Sequence, residues 1–225
     1  MVRVVAFDVN ETLLDLAALD EPFTRAFGSA ASRPLWFAQM LQLAFVGTIT
    51  GEYIDFGTAQ HAALRMLAAR TGTDLDPADA DAIVTGMRRL PPHPEVRAAL
   101  TALRGSPLAV AALTNSTREV AEAQIVNAGL RDLFDAVLSA DDVRRLKPAP
   151  EPYAAVAARF DVPMAQVRLV AAHAWDISGA LAAGCRAAFV ARPGAVLSPV
   201  GHQPDIVGPD LTEVVGRILD VDRPR

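Results

Sequence analysis

An α/β architecture with an inserted helical unit is expected from three features of the 225-residue chain. Short apolar runs of strand length do not alternate with polar residues, as half-exposed strands would. Helical patterns separate the later runs, which implies a parallel sheet covered on both faces. The stretch 16–92 contains no such run and reads as helices throughout.

Taken in order, "VRVVAF" at 2–7 is the first expected buried strand. In the helical stretch, starts are expected at Asp20 before Glu21-Pro22, at Ser32 before Arg33-Pro34, and at Asp76 before Pro77, because proline suits a first helical turn. Four helices are expected there. The prolines of "RLPPHPEV" at 89–96 disfavour helix and mark a link back to the sheet. Further strands are expected at "PLAVAALTN" (107–115), "DAVLSA" (135–140), "VRLVAAH" (167–173) and "RAAFVA" (186–191). The segment "TREVAEAQIVNAGL" reads as a helix beginning after Ser116 or Thr117, followed by "PEPYAAVAARF" and by "DISGALAAG", with Gly184 as its stop. The division expected is therefore a core of residues 1–15 and 93–225 and a helical unit of residues 16–92.

Composition narrows the function classes. Apolar residues make up 52% and charged residues 21%, so the chain has enough apolar material for a sizeable core. Gln39 and Gln42 interrupt the most apolar stretch, "PLWFAQMLQLAFVGTI", before it reaches the roughly 18 residues of a membrane span. A net charge of −5 with scattered basic residues argues against nucleic acid or an anionic membrane as partner. Asp8 and Asn10 break the N-terminal apolar run that a secretion signal needs, and Cys185 has no second cysteine to pair with. A cytoplasmic protein without membrane or nucleic-acid partners is expected, with the apolar helical unit suggesting a homodimer.

In an open parallel sheet the loops at the carboxyl ends of the strands converge on one crevice. The polar residues at those ends are Asp8, then Thr114 and Asn115, Lys147 in "RRLKPAPEPY", and His173 with Asp176 in "AAHAWD". A covalent carboxylate mechanism needs such a set: a nucleophile, donors to orient it, a cation to keep it ionised, and a group to handle water.

The segments "DVNETLLD", "LTNST", "LKP" and "AAHAWDISGALAAG", in this order and spacing, resemble the four motifs of the haloacid dehalogenase superfamily. The resemblance implies a Rossmann-like core, a helical cap at 16–92 and a covalent intermediate on Asp8. Phosphatases of that superfamily carry a second aspartate where this chain has Asn10, and an acidic metal ligand where it has Ala172. A hard cation needs several oxygen ligands, so no metal and no cofactor are expected. "AWD" at 174–176 and Tyr153, six residues after Lys147, resemble the 2-haloacid dehalogenase branch.

For the branch, the resemblance implies that Asp8 displaces halide from C2 of a short, anionic 2-haloacid, and that water then attacks the resulting ester. Lys147 keeps Asp8 ionised. Thr12, Thr114 and Asn115 orient the nucleophile and bind the substrate carboxylate, Tyr153 lines the substrate pocket, and Asp176 with His173 handles the water; Phe37, at helical spacing with Met40 and Leu41, reads separately as cap core with one side lining that pocket. The chain departs from the branch at Phe37, which follows Trp36 where a halide-receiving arginine is usual, at Ala171, where serine is frequent, at Asn10, where an aromatic residue is common, and at His173, where asparagine is usual. Arg33, about one helical turn from Phe37, is the nearest basic candidate in that segment. Two alternatives stay open at this level: a phosphatase with an atypical metal site, and a silent member that only binds a carboxylate. Trp36 reads as cap core and Cys185 as inert packing. His61, His93 and His202 have no motif around them.

Overall fold

The computed structural model describes residues 2–222, and every run expected to be a strand is one. They are β1 (Val4–Phe7), β2 (Ala109–Thr114), β3 (Ala136–Ser139), β4 (Val167–Ala171) and β5 (Arg186–Val190). A sixth strand, β6 (Ile206–Gly208), was not anticipated, since three residues at a sheet edge are too short to carry a period. The order is β3-β2-β1-β4-β5-β6 and every pairing is parallel.

The chain between residues 16 and 92 holds four α-helices and no strand. They are α1 (Asp20–Phe27), α2 (Ser32–Thr50), α3 (Phe56–Thr71) and α4 (Pro77–Gly86). The starts at Asp20 and Ser32 match expectation, and the Asp76 carboxylate caps α4 by accepting from Ala78 N. Asp55 caps α3 in the same way, through Thr58 N. The remaining helices are α5 (Val96–Arg104), α6 (Arg118–Asn127), α7 (Pro150–Arg159), α8 (Ala174–Ala182) and α9 (Leu211–Val221). None of the helices is long and apolar enough to cross a membrane among the described residues.

Successive strand residues point to opposite faces of the sheet, which sorts the core into two clusters. Val4, Ala6, Leu113 and Leu169 face α7 and α8. Val5, Phe7, Val110 and Val170 face α5, α6 and α9, and this cluster runs on into Trp36, Met40, Leu64 and Ile83 of the helices at 16–92. One continuous apolar cluster thus fixes those helices over the carboxyl ends of the strands. A buried Arg168 on β4 closes the far side, binding Asp222 at 2.6 Å together with Asp205.

Gly179 of α8 allows the helix to lie directly on the loop that carries Lys147. A Cβ there would come within 2.5 Å of Pro148 Cβ and 2.7 Å of the Tyr153 hydroxyl. Gly179→Ala is expected to destabilise the fold by about 1–3 kcal/mol through overpacking. Because the displaced groups hold Lys147 and Asp176, activity should fall further than stability, which urea unfolding and kcat on the same preparation will compare.

Candidate active site

The strand order reverses between β1 and β4, and the crevice of an open α/β sheet opens at such a point. Asp8 leaves β1 there, with its N–H donating to Val170 O of β4 at 3.0 Å. The chain then turns tightly, with Leu13 and Leu14 both donating to Val9 O and with Glu11 at φ +60°. This turn brings Thr12 back under the nucleophile. The Thr12 hydroxyl donates to Asp8 Oδ2 at 2.6 Å and accepts from Ala172 N at 2.9 Å, tying β1 to β4. Arg192 holds the turn from behind through Thr12 O, at 2.8 Å.

Lys147 is buried, with its ammonium 2.9 Å from Asp8 Oδ1, 2.6 Å from Asp176 Oδ2 and 3.0 Å from Leu113 O. Three acceptors replace the hydration it has lost. Asn115 holds the lysine's backbone by both ends of its amide, accepting from Lys147 N at 2.8 Å and donating to Lys147 O at 3.2 Å. Tyr153 donates to Asp176 Oδ1 at 2.5 Å. Both oxygens of Asp176 are therefore occupied.

His173 lies between two acids, with Nδ1 3.1 Å from Asp8 Oδ2 and Nε2 2.9 Å from Glu11 Oε2. Its ring stacks on Phe37 of α2 at 5.7 Å and lies 5.3 Å from Trp175. Asp8, Asn10, Phe37, Leu41, Phe56, Thr114, Asn115, Lys147, His173 and Trp175 line a tight cavity with free space of about 10 Å³, room for little more than one water molecule. A small molecule enters it only as these side chains move apart.

The expected site residues converge, but not all at the cavity. Thr114 lines it, while its hydroxyl accepts from Ser116 N rather than reaching Asp8. Asn115 orients the lysine, not the nucleophile. Tyr153 is buried behind Asp176 and does not line the cavity. Arg33 turns away to Asp20 at 2.6 Å and to Glu11 at 3.7 Å, so it brings no charge into the cavity. Trp36 packs within the helices, donating to Gln60 O. Asn10 is pinned as an acceptor for Gln124 at 2.9 Å.

Motif reading missed Glu11, Trp175 and the wall residues Leu41 and Phe56. Trp175 was within reach as part of "AWD". Glu11 had no local signal, because its partner is 162 residues away. Among the described residues no group of three or more His, Cys, Asp or Glu side chains is placed to hold a metal ion.

Burial opposes ionisation of Asp8, but the Lys147 charge and the hydrogen bonds from His173 and Thr12 outweigh it and hold the carboxyl well below the usual range. Burial also opposes the charge on Lys147, yet Asp176 and Asp8 raise its pKa above the ordinary value. Asp176 is raised, mainly by burial and with Asp8 adding to it against the pull of Lys147. Tyr153 is pushed well up by burial and by Asp176, so it stays a donor. Cys185 is pushed up to about 12 by burial and is inert as a thiol.

For His173, burial favours the neutral ring, but the hydrogen bonds and charges of Asp8 and Glu11 prevail and raise it from 6.5 to about 9. Its folded value lies above its unfolded one. The stabilisation is therefore complete below about pH 6.5 and lost as pH rises through about 9. The pKa difference corresponds to roughly 3 kcal/mol. Urea unfolding between pH 6 and pH 10 should show a loss of that order, and the loss should be much smaller in His173→Asn.

A protein-family model for haloacid dehalogenase-like hydrolases matches residues 2–184. An (S)-2-haloacid dehalogenase of Xanthobacter autotrophicus is 31% identical over 194 residues, covering 85% of this chain and 76% of that protein. Haloacetate dehalogenase H-2 of Moraxella sp. (strain B) is 29% identical over 216 residues, 95% of this chain and 96% of its own. The solved structure of the Xanthobacter autotrophicus L-2-haloacid dehalogenase with chloropropionic acid covalently bound superposes with a TM-score of 0.90 at 27% identity, covering 98% of this chain and 99% of that one. With residues 2–184 matched by the family model and the fold shared over 98% of the chain, the chain belongs to the haloacid dehalogenase-like hydrolase family.

Proposed function

We propose that the protein hydrolyses short 2-haloacids to 2-hydroxy acids through an ester on Asp8, without a metal ion. The observation that carries this reading is the ionised, desolvated Asp8 held against Lys147 in a small cavity walled by Phe37, Phe56 and Trp175. A carboxylate stripped of water and kept charged is a nucleophile in search of an electrophilic carbon, and apolar walls accept a short haloalkyl chain. The solved relative with chloropropionic acid covalently bound supports the same route.

In this scheme the Asp8 carboxylate attacks C2 from the side opposite the halogen, the carbon–halogen bond breaks with its electron pair on the halide, and the carbon inverts. Thr12 and Lys147 orient the attacking carboxylate. Thr114 and Asn115 line the cavity that receives the acid, with the Asn115 side-chain amide held on the Lys147 backbone. Among the described residues, Lys147 and His173 are the cationic side chains lining the cavity, and they balance the substrate's negative charge. Water then adds to Cγ of Asp8 and the hydroxy acid leaves, restoring the carboxylate. Residues 16–92 serve as a cap, supplying Phe37, Leu41 and Phe56 as cavity wall, over a catalytic core of residues 1–15 and 93–225. Residues 1 and 223–225 of that core lie outside the described residues. Exposed Leu35, Val46 and Ile49 on α2 support self-association as a homodimer, and the lone cysteine supports a cytoplasmic setting.

A metal-dependent phosphatase is less well supported. The two carboxylates that a cation would share, Asp8 and Asp176, are bridged by the Lys147 ammonium, and Asn10 has no proton to give and recover. Halide release from 2-chloropropionate and phosphate release from p-nitrophenyl phosphate, each with and without EDTA, separate the readings. Halide release unaffected by EDTA and abolished in Asp8→Asn is expected. Chelator-sensitive phosphate release without halide contradicts the proposal, and turnover unchanged in Asp8→Asn contradicts the covalent route.

A further inference from the structure

We propose that Glu11 and His173 form a carboxylate–imidazole pair that deprotonates the water attacking the Asp8 ester, with His173 as the catalytic base and Glu11 as its positioning residue. The assignment rests on the aspartyl-ester reading above and adds to it the group that completes the second step.

Geometry supplies the argument. The imidazole touches the reacting carboxylate through Nδ1 and the Glu11 carboxylate through Nε2, at 3.1 and 2.9 Å. Phe37 and Trp175 flank its ring, so it has one orientation. With the Nε2 proton directed at Glu11, the Nδ1 lone pair of the neutral ring faces the ester, and a water held by Nδ1 lies against the acyl carbon. A carboxylate fixing the tautomer of a base histidine is the logic of hydrolytic triads. Asp176, the other acid nearby, has one oxygen on Lys147 and the other on Tyr153, and its side chain has no exposure. It is placed to hold Lys147, not to receive a proton.

Glu11 reaches this position at φ +60°, a backbone region that favours glycine. Two long-range partners hold it there: His93 contacts its backbone O at 3.1 Å, and Arg33 lies 3.7 Å from its carboxylate. Strain at a non-glycine residue whose side chain lands on a buried histidine is the pattern of a position kept for its side chain.

The two chemical steps place opposite demands on His173, and the charge on Asp8 switches it between them. In the resting enzyme Asp8 is ionised and, between Asp8 and Glu11, the ring is an imidazolium, raised to about 9. Alkylation of Asp8 turns that anion into a neutral ester. Lys147 on the other oxygen of Asp8, and Arg33 beside Glu11, then both disfavour the extra proton, while Asp176 remains bound to Lys147. The imidazolium proton passes to water along the ring's exposed edge and leaves with the halide, the side chain being 11% exposed. The neutral ring takes a proton from the attacking water, hydroxide adds to Cγ, the bond between Cγ and the ester oxygen breaks with its electron pair on that oxygen, which stays on C2 as the product alkoxide, and the Asp8 carboxylic acid so formed gives its proton to solvent. The alkoxide takes a proton from solvent. The ring and Asp8 return to an ion pair, and the sum is haloacid plus water to hydroxy acid, halide and a proton.

The test is rapid-quench turnover of 2-chloropropionate by full-length wild type, His173→Asn and Glu11→Gly, following halide and the mass of the Asp8 peptide. Glycine accepts φ +60°, so the second variant keeps the turn while removing the carboxylate. Expected for His173→Asn is one equivalent of halide in a burst, accumulation of the ester, and ester hydrolysis slowed by about 10²–10⁴. Glu11→Gly should also accumulate ester, and the acid limb of its hydrolysis should move to lower pH, a shift that a purely structural role would not produce. Steady-state turnover within threefold of wild type in both variants, with no ester, would overturn the pair's role. Halide release with no adduct in any of the three proteins would instead overturn the aspartyl route itself.

Discussion

A lysine ammonium without access to water is stable only where acceptor oxygens, carboxylates among them, replace its hydration shell, and the cost of burying it is several kcal/mol before they do. Lys147 meets that requirement with three oxygens from three separate strand ends: Asp8 after β1, Leu113 in β2, and Asp176 after β4. The chain can satisfy the cation only if those strands lie side by side, as the order β2-β1-β4 places them. Much of the local structure follows from this one group. Asn115 clamps its backbone, Tyr153 fills the free oxygen of Asp176, and the bare face of Gly179 lets α8 close on the loop behind it.

The same charge sets the chemistry. An Asp8 paired with a buried cation stays ionised without being hydrated, so it is ready to attack carbon. A second network, Asp8–His173–Glu11, meets the first at the nucleophile. The two differ in kind. The lysine network is dry and fully partnered, whereas the histidine network reaches partly exposed Glu11 and Arg33 and is open to proton exchange. The helices at 16–92 contribute apolar and aromatic wall rather than charge, because Arg33 is turned to Asp20. Lys147 and His173 therefore carry the positive charge that faces an anionic substrate.

The sheet was legible because its strands are buried on both faces and read as unbroken apolar runs. β6 escaped because Ile206–Gly208 is an edge strand whose middle residue is exposed. α9 was legible in principle, with Leu211, Val214, Val215 and Ile218 at helical spacing. The convergence of Asp8, Thr12, Lys147, His173 and Asp176 followed from their places at strand ends, since a parallel sheet brings those ends together whatever the loops do. The direction each side chain takes did not follow. Asn115 was expected toward the substrate and Arg33 was the nearest basic candidate in its segment, and longer-range partners drew them to the Lys147 backbone and to Asp20. Glu11 was invisible because a side chain at a tight turn reveals its purpose only when the fold brings His173 to it.

The central claim is that an Asp8 oxygen becomes the hydroxyl oxygen of the product. A single turnover in heavy-oxygen water, with enzyme in excess over 2-chloropropionate, tests it directly. The account predicts isotope in the Asp8 carboxylate and an unlabelled hydroxyl in the lactate. Labelled lactate with an unlabelled Asp8 would mean that water attacks the substrate directly, and would contradict it.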